Sequence, residues 1–245
     1  LSKESEESLL DWQRGMFVLT SLFSAFSMYC LLAQTPTNQL RIRSYLLFIQ
    51  VCVILSSVYL DVLFEPIPTF PAVAGYCVGL LCRAGIPPHS VLGGYILILI
   101  LIASATISCG FYRHQTIVPA NNPLQVSERT RLVIQILLAT VMTSGPIAYT
   151  VYPFDYTQVD RMLIESPFNL SWILDRGPHC IHERNSFLLM IIYFVEADII
   201  IITFVVLFFF GHMISRLSAE KHTSPSALKR IQRSLIVLFA QVREF

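Results

Sequence analysis

Long apolar runs without charge recur along the chain and predict membrane-spanning helices. Crossing roughly 30 Å of hydrocarbon requires about 20 mostly apolar residues in a helix. Five stretches have this character, and the only acids within them are Asp61 in the second and Glu196 and Asp198 in the fifth. The predicted spans are residues 16–33, 44–64, 89–112, 132–151 and 186–211.

Three further segments refine this pattern. The apolar run at 72–82 is only 11 residues long, so we predict a loop or half-buried segment there. Gly145-Pro146 in the fourth span predicts a modest kink without excluding a helix. A sixth helix is predicted to begin near Ser234, but residues 234–245 are too few to cross. We therefore expect an all-α polytopic bundle that ends within helix six, so that the sequence is a fragment or a truncated version of a receptor-like protein. In a cellular ligand screen, we expect no response from a version that ends at Phe245.

The composition supports lipid as the main solvent of this chain. Hydrophobic residues make up 54% of the sequence, charged residues 13%, and the mean hydropathy is +0.62. Soluble domains contain about 25% charged residues, so this chain could not cover a globular surface in water. The net charge is +1 with scattered basic residues, which argues against a nucleic-acid partner.

The distribution of Lys and Arg predicts an extracellular N-terminus. With that orientation, the cytoplasmic stretches hold 10 basic residues in about 51 positions, and the outer stretches hold 6 in about 73. Basic residues are retained on the cytoplasmic side during insertion. A glycosylation acceptor at Asn169, within Asn169-Leu170-Ser171, falls in the longest predicted outer loop and agrees with this topology.

Asp61, Glu196 and Asp198 are the candidate ligand-binding residues, because ionisable groups at membrane depth usually face a cavity or a partner. Asp61 lies near the outer end of its helix and could instead contact headgroups. Glu196 and Asp198 point about 200° apart on a helix, so at most one can readily line a central pocket. Interhelical hydrogen bonding or a protonated acid is the alternative for these two residues.

No enzyme motif is present in the sequence. It lacks a phosphate-binding glycine loop, a nucleophile elbow and an HExxH motif. His179-Cys180-Ile181-His182 places three metal-capable side chains together, but a fourth ligand at suitable spacing is missing. We therefore expect no enzyme activity, no metal site and no cofactor.

Three segments carry a resemblance to a known family. FEPIPTFPAVAGYCVGLL at 64–81, CGFYRHQTIV at 109–118 and LKRIQRSLIVLF at 228–239 resemble the nematode serpentine chemoreceptors, class I first and the sister class H next. The similarity covers nearly the whole chain in order. It implies seven helices, a small-molecule ligand and coupling to heterotrimeric G proteins in the plasma membrane of a sensory cell.

The same comparison suggests two further sites. Arg113 lies at the inner end of helix three, where receptors of this architecture carry an arginine that contacts the G protein; snorkelling to headgroups is the alternative. Cys77, Cys82 and Cys180 fall in predicted outer loops, an oxidising environment. Many heptahelical receptors link the Cys82 position to the second outer loop, which favours a Cys82–Cys180 disulfide, with Cys77 as the competing partner and free thiols as a third possibility.

Two functions from different classes are compatible with these features. The first is a chemosensory receptor that binds its ligand from outside and shifts between two helix arrangements. The second is a transporter or channel-like bundle in which Glu196, Asp198 and Asp61 carry ions or protons. Transporters commonly contain internal repeats, and no second copy of any segment is found here. The receptor is therefore the favoured hypothesis.

Overall fold

The computed structural model describes residues 3–34, 40–69, 74–118, 122–165, 170–181 and 186–219. The predicted glycosylation site Asn169 and the predicted sixth helix, residues 234–245, lie outside these described residues. The described chain is a helical bundle with a small β-sheet at one end. Its helices are α1 (Lys3–Ala33), α2 (Leu40–Val58), α3 (Leu80–Arg83), α4 (Pro88–Ile117), α5 (Glu128–Val151), α6 (Tyr156–Glu165) and α7 (Ser186–Ala219).

Two short helical segments and three strands complete the fold. A π-helical segment, Tyr59–Phe64, prolongs α2, and a 3₁₀ turn, Ser171–Asp175, follows α6. The strands are β1 (Pro66–Thr69), β2 (Ala74–Cys77) and β3 (His179–Ile181). The described part of the 72–82 segment, which was predicted not to cross the membrane, contributes β2 and most of the short helix α3.

Within the described residues, four helices have the length and apolar composition needed to cross a membrane. They contain the first four predicted spans, and each helix begins before its apolar run or continues beyond it. The fifth predicted span lies in α7, whose side chains are described only in part. The four helices are Glu4–Ala33, Leu40–Phe64, Pro88–Ile117 and Glu128–Val151.

Helix α4 is the central helix of the bundle. In its most apolar window 39% of residues are buried, against 6–17% in the other three spans. It packs against α2, α5 and α7. Large apolar side chains on the other helices point outward, including Phe23 and Phe26 of α1 at 66% and 67% exposure. Such a surface is stable only when hydrocarbon surrounds it.

Polar contacts assign the loops to two ends of the bundle. Arg176, before β3, pairs with Glu6 of α1 at 2.7 Å, which brings the N-terminal end of α1 and the described 170–181 segment to one end. Arg41 at the start of α2 pairs with Glu128 at the start of α5 at 2.6 Å, at the opposite end. The described connections therefore alternate between the two ends of the bundle, in agreement with the predicted order of the spans.

A small folded cap covers one end of the bundle, hereafter the capped end. It consists of α6, the 3₁₀ turn and an antiparallel sheet in the order β1-β2-β3, with Pro66 opposite Cys77 and Gly75 opposite Cys180. Helix α6 is amphipathic and buries Val159 and Leu163. The cap has its own apolar core, formed by Ile67, Tyr76, Leu163, Leu170 and Ile173.

The disulfide in the cap corrects the favoured prediction of a Cys82–Cys180 bond. Cys82 is bonded to Cys77 instead. Cys77 ends β2 and Cys82 lies in α3, five residues later, so the tight turn between them brings their Cα atoms to 6.1 Å, a normal spacing for a disulfide. Cys180 lies in β3, opposite Gly75 of β2, within the sheet that joins these two segments of the chain.

Candidate functional site

The structure places Asp61 in the π-helical segment that ends the second span. Its side chain is partly buried and forms a hydrogen bond with the side chain of Gln13 in α1. The Gln13 amide also donates to the Leu60 carbonyl oxygen at 3.2 Å. Asp61 therefore lies at the capped end of the bundle, close to the N-terminal half of α1.

The other two candidate acids lie on α7. Glu196 is exposed, and the Asp198 side chain lies outside the described part of the structure. The segment with Asp61 packs against α1, α3 and α4, whereas α7 packs against α4 and α5. Both segments therefore pack against α4, and no described contact joins Asp61 to Glu196.

A cluster of aromatic residues lies where α4 begins and α5 ends, next to the cap. The buried His89 ring lies 2.5 Å from the Tyr156 hydroxyl through Nδ1 and stacks against Phe154 with a centroid distance of 4.4 Å. Tyr149 and Tyr152 pack edge-on against Phe154. The cluster joins the start of α4 to the start of α6, and the sequence reasoning did not find it.

The cap is tied to the N-terminal end of α1 by charge and packing. The Arg176 guanidinium pairs with Glu6 and lies 5.9 Å above the Trp172 ring. Tyr76 is 2% exposed in the cap core. Burial and, to a lesser extent, the neighbouring Glu6 carboxylate raise the pKa of Tyr76 to about 12, although the Arg176 cation opposes the shift.

This shift predicts alkaline sensitivity of the cap. The folded state holds the Tyr76 proton more tightly than the unfolded state, so its stabilising effect is complete below pH about 10 and is lost as the pH rises to about 12. Near pH 11 the loss should be about 1 kcal/mol. Thermal unfolding of purified protein between pH 8 and pH 11 measures it, and Tyr76→Phe should show a smaller decline than the parent. Tyr29→Phe, at an exposed site on α1, is the control; equal declines for all three proteins would contradict the prediction.

A second polar network lies at the opposite end of α4. His114 is fully buried, and its Nε2 lies 3.0 Å from Nδ1 of His212 in α7. The Gln115 amide donates to the Leu124 carbonyl oxygen at 2.9 Å, and the Val126 amide donates to Gln115 Oε1 at 2.9 Å. The end of α4 is thereby bonded to α7 through His114 and to the α4–α5 loop through Gln115.

Arg113, the predicted G-protein contact, precedes this network. Its side chain is half-buried and neighbours the Cys109 thiol, one turn earlier in α4. The role of Arg113 as a G-protein contact remains a prediction. The sequence reasoning missed His114, Gln115 and His212, although polar residues at the ends of apolar helices are a usable signal for interhelical contacts.

Comparison with known proteins identifies the family. The model of the serpentine type 7TM GPCR chemoreceptor family Srh matches residues 5–243. The chain belongs to this family. No curated protein and no solved structure shows significant similarity to the receptor.

Membership confirms the general assignment to the serpentine chemoreceptors and, with the apolar helices, an integral membrane receptor. The narrower preference for class I, with class H next, and the nematode origin remain predictions. Members of a chemoreceptor family are generally not enzymes, so the family also favours a receptor over catalysis.

Proposed function

We propose that the receptor binds a small molecule from its capped end and signals to a heterotrimeric G protein at the opposite end. The observation that most supports this proposal is the bonding of α4 near both of its ends. Near its start, His89 contacts Tyr156 and Ser90 donates to the Thr150 carbonyl oxygen at 3.2 Å. Near its end, His114 contacts His212.

This arrangement suits transmission of a ligand signal. A helix is stiff along its axis, so a displacement of α4 beside the cap changes the contacts of its other end. A ligand shifts the equilibrium between two helix arrangements only if it binds one of them more tightly. The aromatic cluster around His89 and the network around His114 are the contacts that would differ between those arrangements.

Asp61, Glu196 and Asp198 remain the proposed ligand-binding acids. Carboxylates at membrane depth favour a ligand group that carries positive charge or donates hydrogen bonds. Asp61 at the capped end is the residue best placed to meet a molecule that enters past the cap.

The proposed orientation places the capped end outside the cell at the plasma membrane. Lys and Arg are denser in the loops of the opposite end, as expected for cytoplasmic loops. The Cys77–Cys82 disulfide lies in the cap, and disulfides persist in oxidising compartments. The acceptor at Asn169 belongs to the same predicted side.

The test is a ligand screen in cells that express a full-length receptor containing this chain and a promiscuous G protein. Arg113→Gln should lower the response about tenfold without reducing ligand binding or surface abundance, since a contact with the G protein contributes only to coupling. Arg129→Gln, which removes an exposed arginine at the same end of the molecule, is the control and should change the response little.

The transporter alternative makes a different prediction for the same protein. In liposomes it requires an ion or substrate flux that disappears when Glu196 and Asp198 are neutralised. The proposed receptor produces no flux. A flux of this kind would contradict the proposed function. An unchanged cellular response from Arg113→Gln would contradict the proposed coupling residue.

A further inference from the structure

A cleft lies between α2, α4 and α5 in the half of the bundle away from the cap. Its volume is about 410 Å³, within the range of ligand pockets. It extends from Ser44, near the start of α2, to Leu101, near the middle of α4. The lining is mostly apolar and consists of Ser44, Tyr45, Phe48, Leu101, Ser104, Ala105, Ser108, Gln135 and Ala139.

The polar side chains of the cleft bond to one another. The Gln135 amide donates to the Tyr45 hydroxyl and to the Ser108 carbonyl oxygen, both at 3.3 Å. These contacts link the three helices, and both hydrogen-bond donors of the Gln135 amide are occupied by protein atoms. The surface offered to an occupant is therefore mainly hydrocarbon, which suits an acyl chain better than a polar molecule.

Two arginines lie at the end of the cleft that is farther from the cap. Arg41 lies one helical turn from Ser44 and Tyr45, and Arg131 lies one turn from Gln135. Both guanidinium groups share a single carboxylate, Glu128, at 2.6 Å and 3.5 Å. Two cations against one anion leave this group with an excess positive charge.

Arg131 is also connected to the wall of the cleft. Its guanidinium carbon lies 5.0 Å above the Tyr112 ring, and Tyr112 packs against Tyr45 with a centroid distance of 5.8 Å. The Arg131 side chain is 15% exposed, whereas that of Arg41 is 63% exposed. Arg131 is thus the more buried cation at this end of the cleft, and Arg41 is the more exposed arginine, which an incoming anion can reach.

We propose that this cleft binds a phospholipid with a negatively charged headgroup from the surrounding bilayer. One acyl chain lies between α2, α4 and α5, and the headgroup lies at Arg41 and Arg131. The apolar wall selects the chain, and the excess positive charge selects an anionic headgroup over a zwitterionic one. The site is separate from the proposed ligand-binding acids and from the coupling residue Arg113.

Photocrosslinking in nanodiscs tests this proposal. The purified chain is reconstituted in phosphatidylcholine with a trace of phosphatidylserine that carries a photoreactive group on its acyl chain, and labelled residues are mapped by mass spectrometry. The matched probe is phosphatidylcholine with the same photoreactive chain. Label should concentrate on the residues that line the cleft, about fivefold more from phosphatidylserine than from phosphatidylcholine.

Three variants make the result specific. Arg41→Gln should lower phosphatidylserine labelling to the phosphatidylcholine level, whereas Glu128→Gln, which releases both arginines, should raise it. Ala139→Leu fills the cleft and should lower labelling by both lipids. The controls are Arg161→Gln, exposed on α6, and Ala25→Leu, exposed on α1, which should change nothing.

The opposite responses of Arg41→Gln and Glu128→Gln separate binding from misfolding, because a damaged fold would lower both signals. Label spread evenly over the exposed faces of α1 and α5, or equal labelling by the two lipids in every variant, would overturn the proposal. No chemosensory ligand or G protein is present in this experiment, so its outcome is independent of the proposed signalling function.

Discussion

Replacement of Gly79 by alanine should destabilise the receptor by about 3 kcal/mol, the upper part of the usual range for overpacking. A Cβ at this position would overlap the Leu63 carbonyl oxygen and lie 2.5 Å from the Phe64 carbonyl carbon. Both are backbone atoms and cannot rotate away. The segment that follows β2 would have to separate from the end of the π-helical segment, with loss of the hydrogen bond from the Gly79 amide to the Phe64 carbonyl oxygen, 3.1 Å long.

Thermal unfolding followed with a thiol-reactive dye measures this effect, because Cys52 and Cys109 are buried free thiols that unfolding exposes. The midpoint should fall by about 6–12 °C. Gly15→Ala is the matched control: a Cβ there meets no atom within 4 Å, so the variant should keep or slightly raise the midpoint through better helix propensity. Equal midpoints for the two variants would refute the close approach at Gly79.

Replacement of His114 by leucine should be the most damaging change at the opposite end. It removes the contacts of the buried His114 ring with His212 and Gln115, and the partly buried His212 loses its partner in α4. Each buried group left unsatisfied costs about 1–3 kcal/mol, so a loss of about 2–4 kcal/mol is expected, together with weaker attachment of α7 to α4.

A graded series tests the hydrogen bond directly. His114→Gln can still reach His212 with its amide and should lose about half as much stability as His114→Leu, measured by the same dye. Thr116→Val is the control, since Thr116 is exposed and bonds only within its own helix turn. If leucine and glutamine are equally harmful, packing against Phe209, 4.7 Å from the His114 ring, is the more important contact.

The membrane-embedded part of this fold was predictable because apolar runs report directly on contact with hydrocarbon. The first four predicted spans all lie within helices of the structure. The ends were less accurate: α1 begins at Lys3 and not near Met16, since the acidic residues before the apolar run form helix in contact with the cap. Hydropathy marks where lipid begins, whereas hydrogen bonding decides where a helix begins.

The cap was not predictable in the same way. Its sheet pairs β2 with β3, whose residues are about a hundred positions apart, and such pairing leaves no local signal in the sequence. The disulfide shows the same limit, because the choice between Cys77 and Cys180 as the partner of Cys82 depends on the turn after β2. At the candidate site, Arg113 was found by analogy, but its buried neighbour His114 acquires a partner only when α7 packs against α4.

The pairing of Ala74 with Ile181 has a consequence for biosynthesis. During translation the β1–β2 hairpin emerges long before its third strand, and two further helices must enter the bilayer in between. For that interval one edge of β2 presents unpaired backbone groups, which invite association with other chains. The sheet can therefore be completed only after α4 and α5 have been synthesised.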